Sequence, residues 1–205
     1  MPKVKVQIRR FRSRPVARIK LPFPAAPRLR LALLARGPRF ESVEPFTPKR
    51  WVELESYRPH VLIGRAAELQ RLAEHVELGM LDLDCVDHAI VVLTHYGGKP
   101  IGDVLRVALW QRFGVPIYEL YIGPDGSLLA SECAAHEGWH LESATQFAIL
   151  DDELILDSEG NFGLRTGLTG SLESTPCACG RAGERLLDLE AVSRQEPRRR
   201  LAASA

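Results

Sequence analysis

The chain has 205 residues and a mass of 22.8 kDa, enough for one domain with a sizeable core. Hydrophobic residues make up 45% and charged residues 26%, an ordinary globular composition that excludes a wholly disordered chain. The net charge of +1 hides an asymmetry: residues 1–40 hold twelve of the 27 Lys and Arg and no carboxylate, which leaves 15 basic and 26 acidic groups for the rest. Such a split invites a polyanion partner. No aromatic interleaving or nucleic-acid motif accompanies it, so an arm lying on its own acidic body, or a solvated extension, is favoured over nucleic-acid binding. No apolar run approaches the ~20 residues of a membrane helix, and the first residues lack the apolar core of a secretory signal. A cytoplasmic protein with no membrane partner is expected.

In chain order, Val4, Val6 and Ile8 alternate with Lys3, Lys5 and Gln7 and suit one short strand. Pro15, Pro22, Pro24 and Pro27 make residues 13–28 irregular or extended, and residues 29–60 read as a proline-punctuated connection. Val61 to Gly64 reads as a buried strand end. A helix over 65–79 follows, with Leu69, Leu72, Ala73 and Val76 on one face. Ala89 to Thr94 is a continuous apolar run, as in a central strand covered on both faces. Gly97-Gly98-Lys99-Pro100 turns into a helix over about 100–113, with Ile101, Val104, Leu105 and Ala108 as its expected buried stripe. Val115 to Tyr121 is the next strand. This alternation predicts an α/β fold with a parallel βαβ core. Beyond Gly123 short antiparallel strands are expected at about 127–132, 144–150, 153–157 and 185–190. The expected organisation is a basic, proline-rich arm and connection (1–57), an α/β domain (58–193) and a frayed tail (194–205).

Four cysteines are too few for a disulfide scaffold. Cys133-Ala134-Ala135-His136 and Cys177-Ala178-Cys179 instead form two close pairs of soft and borderline ligands, the donor set of a tetrahedral zinc. His140 is an alternative to His136 as the nitrogen ligand, and spacing alone leaves ordinary reduced thiols equally open. Four protein ligands would leave no open position, so such a zinc would be structural. His140-Leu141-Glu142 fits the HxE of zinc deaminases, but Pro176-Cys177-Ala178-Cys179 is one residue short of their PCxxC, which excludes that reading. Neither a GxxxxGK[ST] phosphate loop nor a GxSxG nucleophile turn is present. No catalytic residue is assigned.

Several segments lie in one order along the chain: Arg58 to Gly64, Val92-Leu93-Thr94 with Gly97-Gly98, Arg112 to Tyr118, Ser131-Glu132-Cys133, Gly138 to Glu142, Arg165-Thr166-Gly167 and Pro176 to Arg181. In this order residues 58 to about 190 resemble the adenylate-forming (ANL) ligases of the phenylacetate–CoA ligase type. PCxCGR is the most specific of the matching pieces. The resemblance implies the later part of such a ligase's large domain, with a structural zinc at Cys133, His136, Cys177 and Cys179. It also implies an ATP or AMP pocket lined by Gly97, Gly98, Tyr118, Tyr121, Gly123 and Arg165, at the carboxyl ends of the parallel strands.

The departures bear on activity. The family's Thr-Glu pair, which contacts nucleotide and magnesium, is replaced by Tyr121 and Ile122, and the Asp that follows Arg-Thr-Gly is replaced by Leu168. Each lost contact should cost ~1–3 kcal/mol of binding. The family's phosphate loop and its lysine-bearing C-terminal domain have no counterpart in the sequence. The expectation is a degenerate binding or assembly module that does not form acyl-adenylates alone. One alternative is a piece of a split acyl-adenylate/CoA ligase completed by a partner protein. Another is a zinc-stapled module that binds a polyanion through its basic arm.

Overall fold

The computed structural model describes residues 21–23, 28–34, 43–158 and 161–192. Strand β1 (Leu31–Leu33), β2 (Val43–Pro45), a 3₁₀ turn (Pro48–Arg50) and helix α1 (Glu53–Tyr57) come first. They are followed by β3 (Val61–Gly64), α2 (Ala66–Glu77), β4 (Ala89–His95), α3 (Asp103–Phe113) and β5 (Ile117–Ile122). Seven further strands complete the described chain: β6 (Leu128–Ser131), β7 (Trp139–Leu141), β8 (Gln146–Leu150), β9 (Glu153–Ser158), β10 (Asn161–Arg165), β11 (Leu168–Glu173) and β12 (Arg185–Ala191).

Nine strands form one mixed sheet in the order β11-β12-β7-β6-β5-β4-β3-β1-β2. β2, β1, β3, β4 and β5 are mutually parallel, and every pairing from β5 through β6, β7 and β12 to β11 is antiparallel. Strands β8, β9 and β10 make a separate antiparallel sheet. The α/β expectation with a parallel core and an antiparallel continuation therefore holds.

The connection expected over residues 29–60 needs correction. Residues 31–33 and 43–45 enter the large sheet beside β3, because Leu31, Ala32 and Leu33 are an apolar run whose backbone groups find partners along Val61–Ile63. The expected strand at Val4–Ile8 and the tail from Arg194 lie outside the described residues.

Two-residue periodicity splits the parallel strands between two apolar clusters. Leu62, Ile90, Val92 and Ile117 face α2 and α3, while Val61, Ile63, Val91, Tyr118, Leu120 and Ile122 face the other side, where Leu21, Phe23 and Leu29 pack on them. Helix α2 buries Leu69, Leu72 and Val76, as its spacing predicts. Helix α3 follows only part of its predicted stripe, Leu105 packing on the core. Ile101 and Leu109 are buried, but Val104 is 87% exposed and Ala108 is exposed. Apolar residues occur on both sides of this helix, so spacing alone could not tell which side meets the sheet. Gly114 in the left-handed region closes α3, its N–H donating to Trp110 O at 2.7 Å. The third cluster, around Tyr121, Trp139, Leu156, Leu168 and Leu186, joins the antiparallel half to the small sheet.

Candidate metal centre

Cys133 lies just beyond the end of β6 and opens a tight turn closed by the His136 N–H donating to Cys133 O at 3.0 Å. Gly138 must be glycine. Its φ is +87°, and a Cβ there would lie 2.3 Å from Leu187 Cδ2 and 2.4 Å from Leu186 O. This close approach seats β7 against β12, with His140 paired to Ser131 on one side and Arg185 on the other. Trp139 enters the core, so by alternation His140 points to the opposite face. Cys177 and Cys179 occupy a turn between β11 and β12, closed by the Gly180 N–H donating to Cys177 O at 2.9 Å.

These turns bring together Cys133, His140, Cys177 and Cys179, whose ligand atoms all lie within 4.8 Å of one another. Cys133 Sγ is 3.6 Å from Cys177 Sγ, and Cys179 Sγ is 3.4 Å from His140 Nε2. A tetrahedral ion with arms of ~2.3 Å to sulfur and ~2.0 Å to nitrogen has sulfur–sulfur edges of about 3.8 Å and sulfur–nitrogen edges of about 3.5 Å. All four cysteines are free thiols. The donor set and both edges fit a four-coordinate metal.

Burial, reinforced by Arg181 and Arg185, lowers the pKa of His140, so the imidazole stays in the neutral form that ligates. Burial pushes the Cys177 thiol up to about 11, while the Arg181 N–H on its sulfur at 3.4 Å lowers that of Cys179.

The expected nitrogen ligand His136 is corrected to His140. The turn at residues 133–136 puts His136 at φ +52°, and its ring stacks on Tyr118 at 5.3 Å, with Nδ1 3.8 Å from Glu132. It is absent from the cluster.

The expected nucleotide-pocket residues do not share one surface. Gly97, Gly98 and Gly123 follow the carboxyl ends of the adjacent parallel strands β4 and β5. Tyr96, beside them, donates its hydroxyl to Arg165 O at 2.6 Å. Tyr121 is fully buried between Trp139 and Phe147, but Tyr118 stands three residues earlier on β5 and therefore faces the other side of the sheet. The Arg165 guanidinium is held by Glu153 at 2.7 Å and Asp151 at 3.2 Å. A groove of about 830 Å³ lies elsewhere, between α3 and the antiparallel strands, and none of the six residues lines it.

At the base of that groove stands a residue the sequence reading passed over. Glu119 is 1% exposed, accepts from the Thr94 hydroxyl and from the Ile101 N–H at 2.9 Å, and lies 3.7 Å from Arg106. Burial pushes its carboxyl up to about 7 against those stabilising contacts. The available signal was a lone carboxylate inside the apolar run Ile117–Ile122. Arg106 itself ties α3 to the residue after β6 by donating to Glu132 at 2.8 and 3.2 Å.

No protein-family model matches the chain, and no curated protein does. Among solved structures, an open conformation of 2-hydroxyisobutyryl-CoA ligase in complex with 2-HIB-AMP and CoA is similar at a TM-score of 0.61 and 13% identity, over 76% of this chain and 43% of that one. Coronafacic acid ligase from Pectobacterium brasiliense is similar at a TM-score of 0.54 and 13% identity, over 82% and 40%. The fold is thus that of a region of the adenylate-forming ligases. The chain spans less than half the length of the ligases it matches.

Proposed function

We propose that this chain is a zinc-stapled α/β module resembling phenylacetate–CoA ligases, which serves in binding or assembly and is not a ligase by itself. The observation that carries the metal part is the convergence of Cys133, His140, Cys177 and Cys179 within 4.8 Å. A zinc bound there supplies a cross-link between loops more than thirty residues apart. With four protein ligands it has no open position for substrate or water.

The non-catalytic part is supported by two side chains. Ile122 and Leu168, at the positions where the resemblance expects carboxylates for magnesium and ribose, are 0% and 1% exposed and packed into apolar clusters. A residual nucleotide site would be confined to the edge around Gly97, Gly98, Gly123 and Arg165, where Arg165 is already engaged by two carboxylates.

The test has two arms. Elemental analysis of the purified chain should give one zinc per molecule, and absence of any metal overturns the staple. Calorimetric titration with ATP–Mg and with AMP should give no saturable heat. Micromolar binding would overturn the non-catalytic reading and favour the second one, a split ligase whose remaining parts come from a partner chain.

A further inference from the structure

Both loops that bear the metal ligands are tied to one buried cation. Arg185 opens β12 and is 4% exposed. Its Nη1 donates to Glu137 O at 2.9 Å and to Glu137 Oε2 at 3.3 Å, inside the loop between Cys133 and His140. Its Nη2 donates to Thr175 O at 3.3 Å and Thr175 Oγ1 at 3.1 Å and pairs with Glu173 at 3.5 Å, in the segment that leads to Cys177. Glu137 completes the circuit: its Oε2 also accepts from the Ala178 N–H at 3.2 Å and from the Cys177 thiol at 3.5 Å. The guanidinium therefore joins the same two loops that the metal would join.

We infer that Arg185, acting through Glu137, is the positioning residue of the metal centre, holding its two ligand loops at binding separation before the ion arrives. This rests on the metal reading above. Two features support a positioning role over a simple stabilising stitch. The Arg185 Nε is buried without a partner among the described residues, and the carboxylates it meets are 50% and 39% exposed. A buried cation so imperfectly compensated contributes little net stability. What it does supply is geometry, because the planar fork of five donors serves both loops at once and a lysine ammonium cannot. Loops already ordered lose less conformational freedom when the ion binds, and affinity rises accordingly.

The experiment measures zinc affinity of the full chain by competition with a chromophoric chelator, beside the melting temperature of the metal-free protein and the visible spectrum of the cobalt(II) form. Arg185→Lys and Glu137→Gln should each weaken zinc binding about tenfold to a hundredfold and alter the tetrahedral cobalt spectrum. The double variant should lose little more than the worse single one, because the two act in one chain. The half-exposed Glu137 keeps the test decisive if Arg185→Lys fails to fold. Wild-type affinity and spectrum alongside a lowered metal-free melting temperature would reduce Arg185 to a stitch and overturn the inference, as would additive losses. A wild-type chain that takes up no zinc overturns instead the metal reading on which the inference depends.

Discussion

The two halves of the nine-stranded sheet are held together by different physics. In the parallel half, β3, β4 and β5 carry almost continuous apolar runs, with α2 and α3 packed on one face and Leu21, Phe23 and Leu29 on the other. Area removed from water stabilises this half, at ~25 cal/mol per Å² of apolar surface. In the antiparallel half, β6 and β7 have four and three residues, too few to bury a comparable area. It is joined by the apolar cluster that the small sheet makes with Trp139 and Leu168 and by the Arg106–Glu132 pair, and the proposed metal at the cysteine–histidine cluster would tie its loops together. Short strands bury less per strand than a βαβ unit does, so the loops that join them carry more of the fixing of this half.

The largest expected effect breaks that comparison at the staple. Cys177→Ala should abolish metal binding and raise amide hydrogen exchange in β6, β7, β11 and β12 while β3–β5 stay protected. The free energy at stake is up to about 10 kcal/mol by analogy with structural zinc generally. Uniform exchange across both halves would refute the division. Next is Gly138→Ala, which forces a Cβ into Leu186 O and a left-handed φ on a residue with a side chain. Denaturant unfolding should show a loss of roughly 3–5 kcal/mol.

In the parallel half, Leu109→Ala removes a fully buried side chain and should cost about 2–5 kcal/mol in the same assay. Glu119 sets a pH dependence. Its folded-state pKa of about 7 lies above the ordinary 4.5, so the folded chain keeps a proton that the unfolded chain has lost. Stability from this group is full below about pH 4.5 and is lost as pH rises through about 7, by roughly 2–3 kcal/mol. Glu119→Gln should flatten that slope, and an unchanged slope would show that another group produces it. The smallest effect is Val104→Ser on the outward side of α3, expected within about 0.5 kcal/mol of wild type. Its contrast with Leu109→Ala tests which side of the helix meets the sheet.

Much of the parallel half was legible in the sequence, because a strand buried on both faces and a helix with one apolar stripe carry their own periodicities. The bounds of β3, α2 and β4 match the expected Val61–Gly64, 65–79 and Ala89–Thr94 within one or two residues. The exception is α3, apolar on both sides. The antiparallel half was legible only in part. β6, β8, β9 and β12 were anticipated, whereas β7, β10 and β11 are too short or too polar to signal themselves. The placement of Tyr118 and Tyr121 on opposite faces was available from strand parity, since residues three apart cannot point the same way.

Sequence alone supplied the candidate donors, three thiols and a nearby imidazole in two close groups, while leaving ordinary reduced thiols equally open. It also determined the order of strands and helices from β3 to β5, which local periodicity encodes. Tertiary structure decided which histidine joins the thiols. That choice turns on a left-handed turn at residues 133–136, on the close approach permitted by Gly138 and on the direction in which β7 aims His140. It likewise decided that Arg185 grips both ligand loops, since its partners lie 10 and 48 residues away and only the pairing of β12 with β7 and β11 brings them within hydrogen-bond reach. Local sequence carries propensities over a few residues, and the geometry of a site built from distant loops is fixed only when the sheet closes around it.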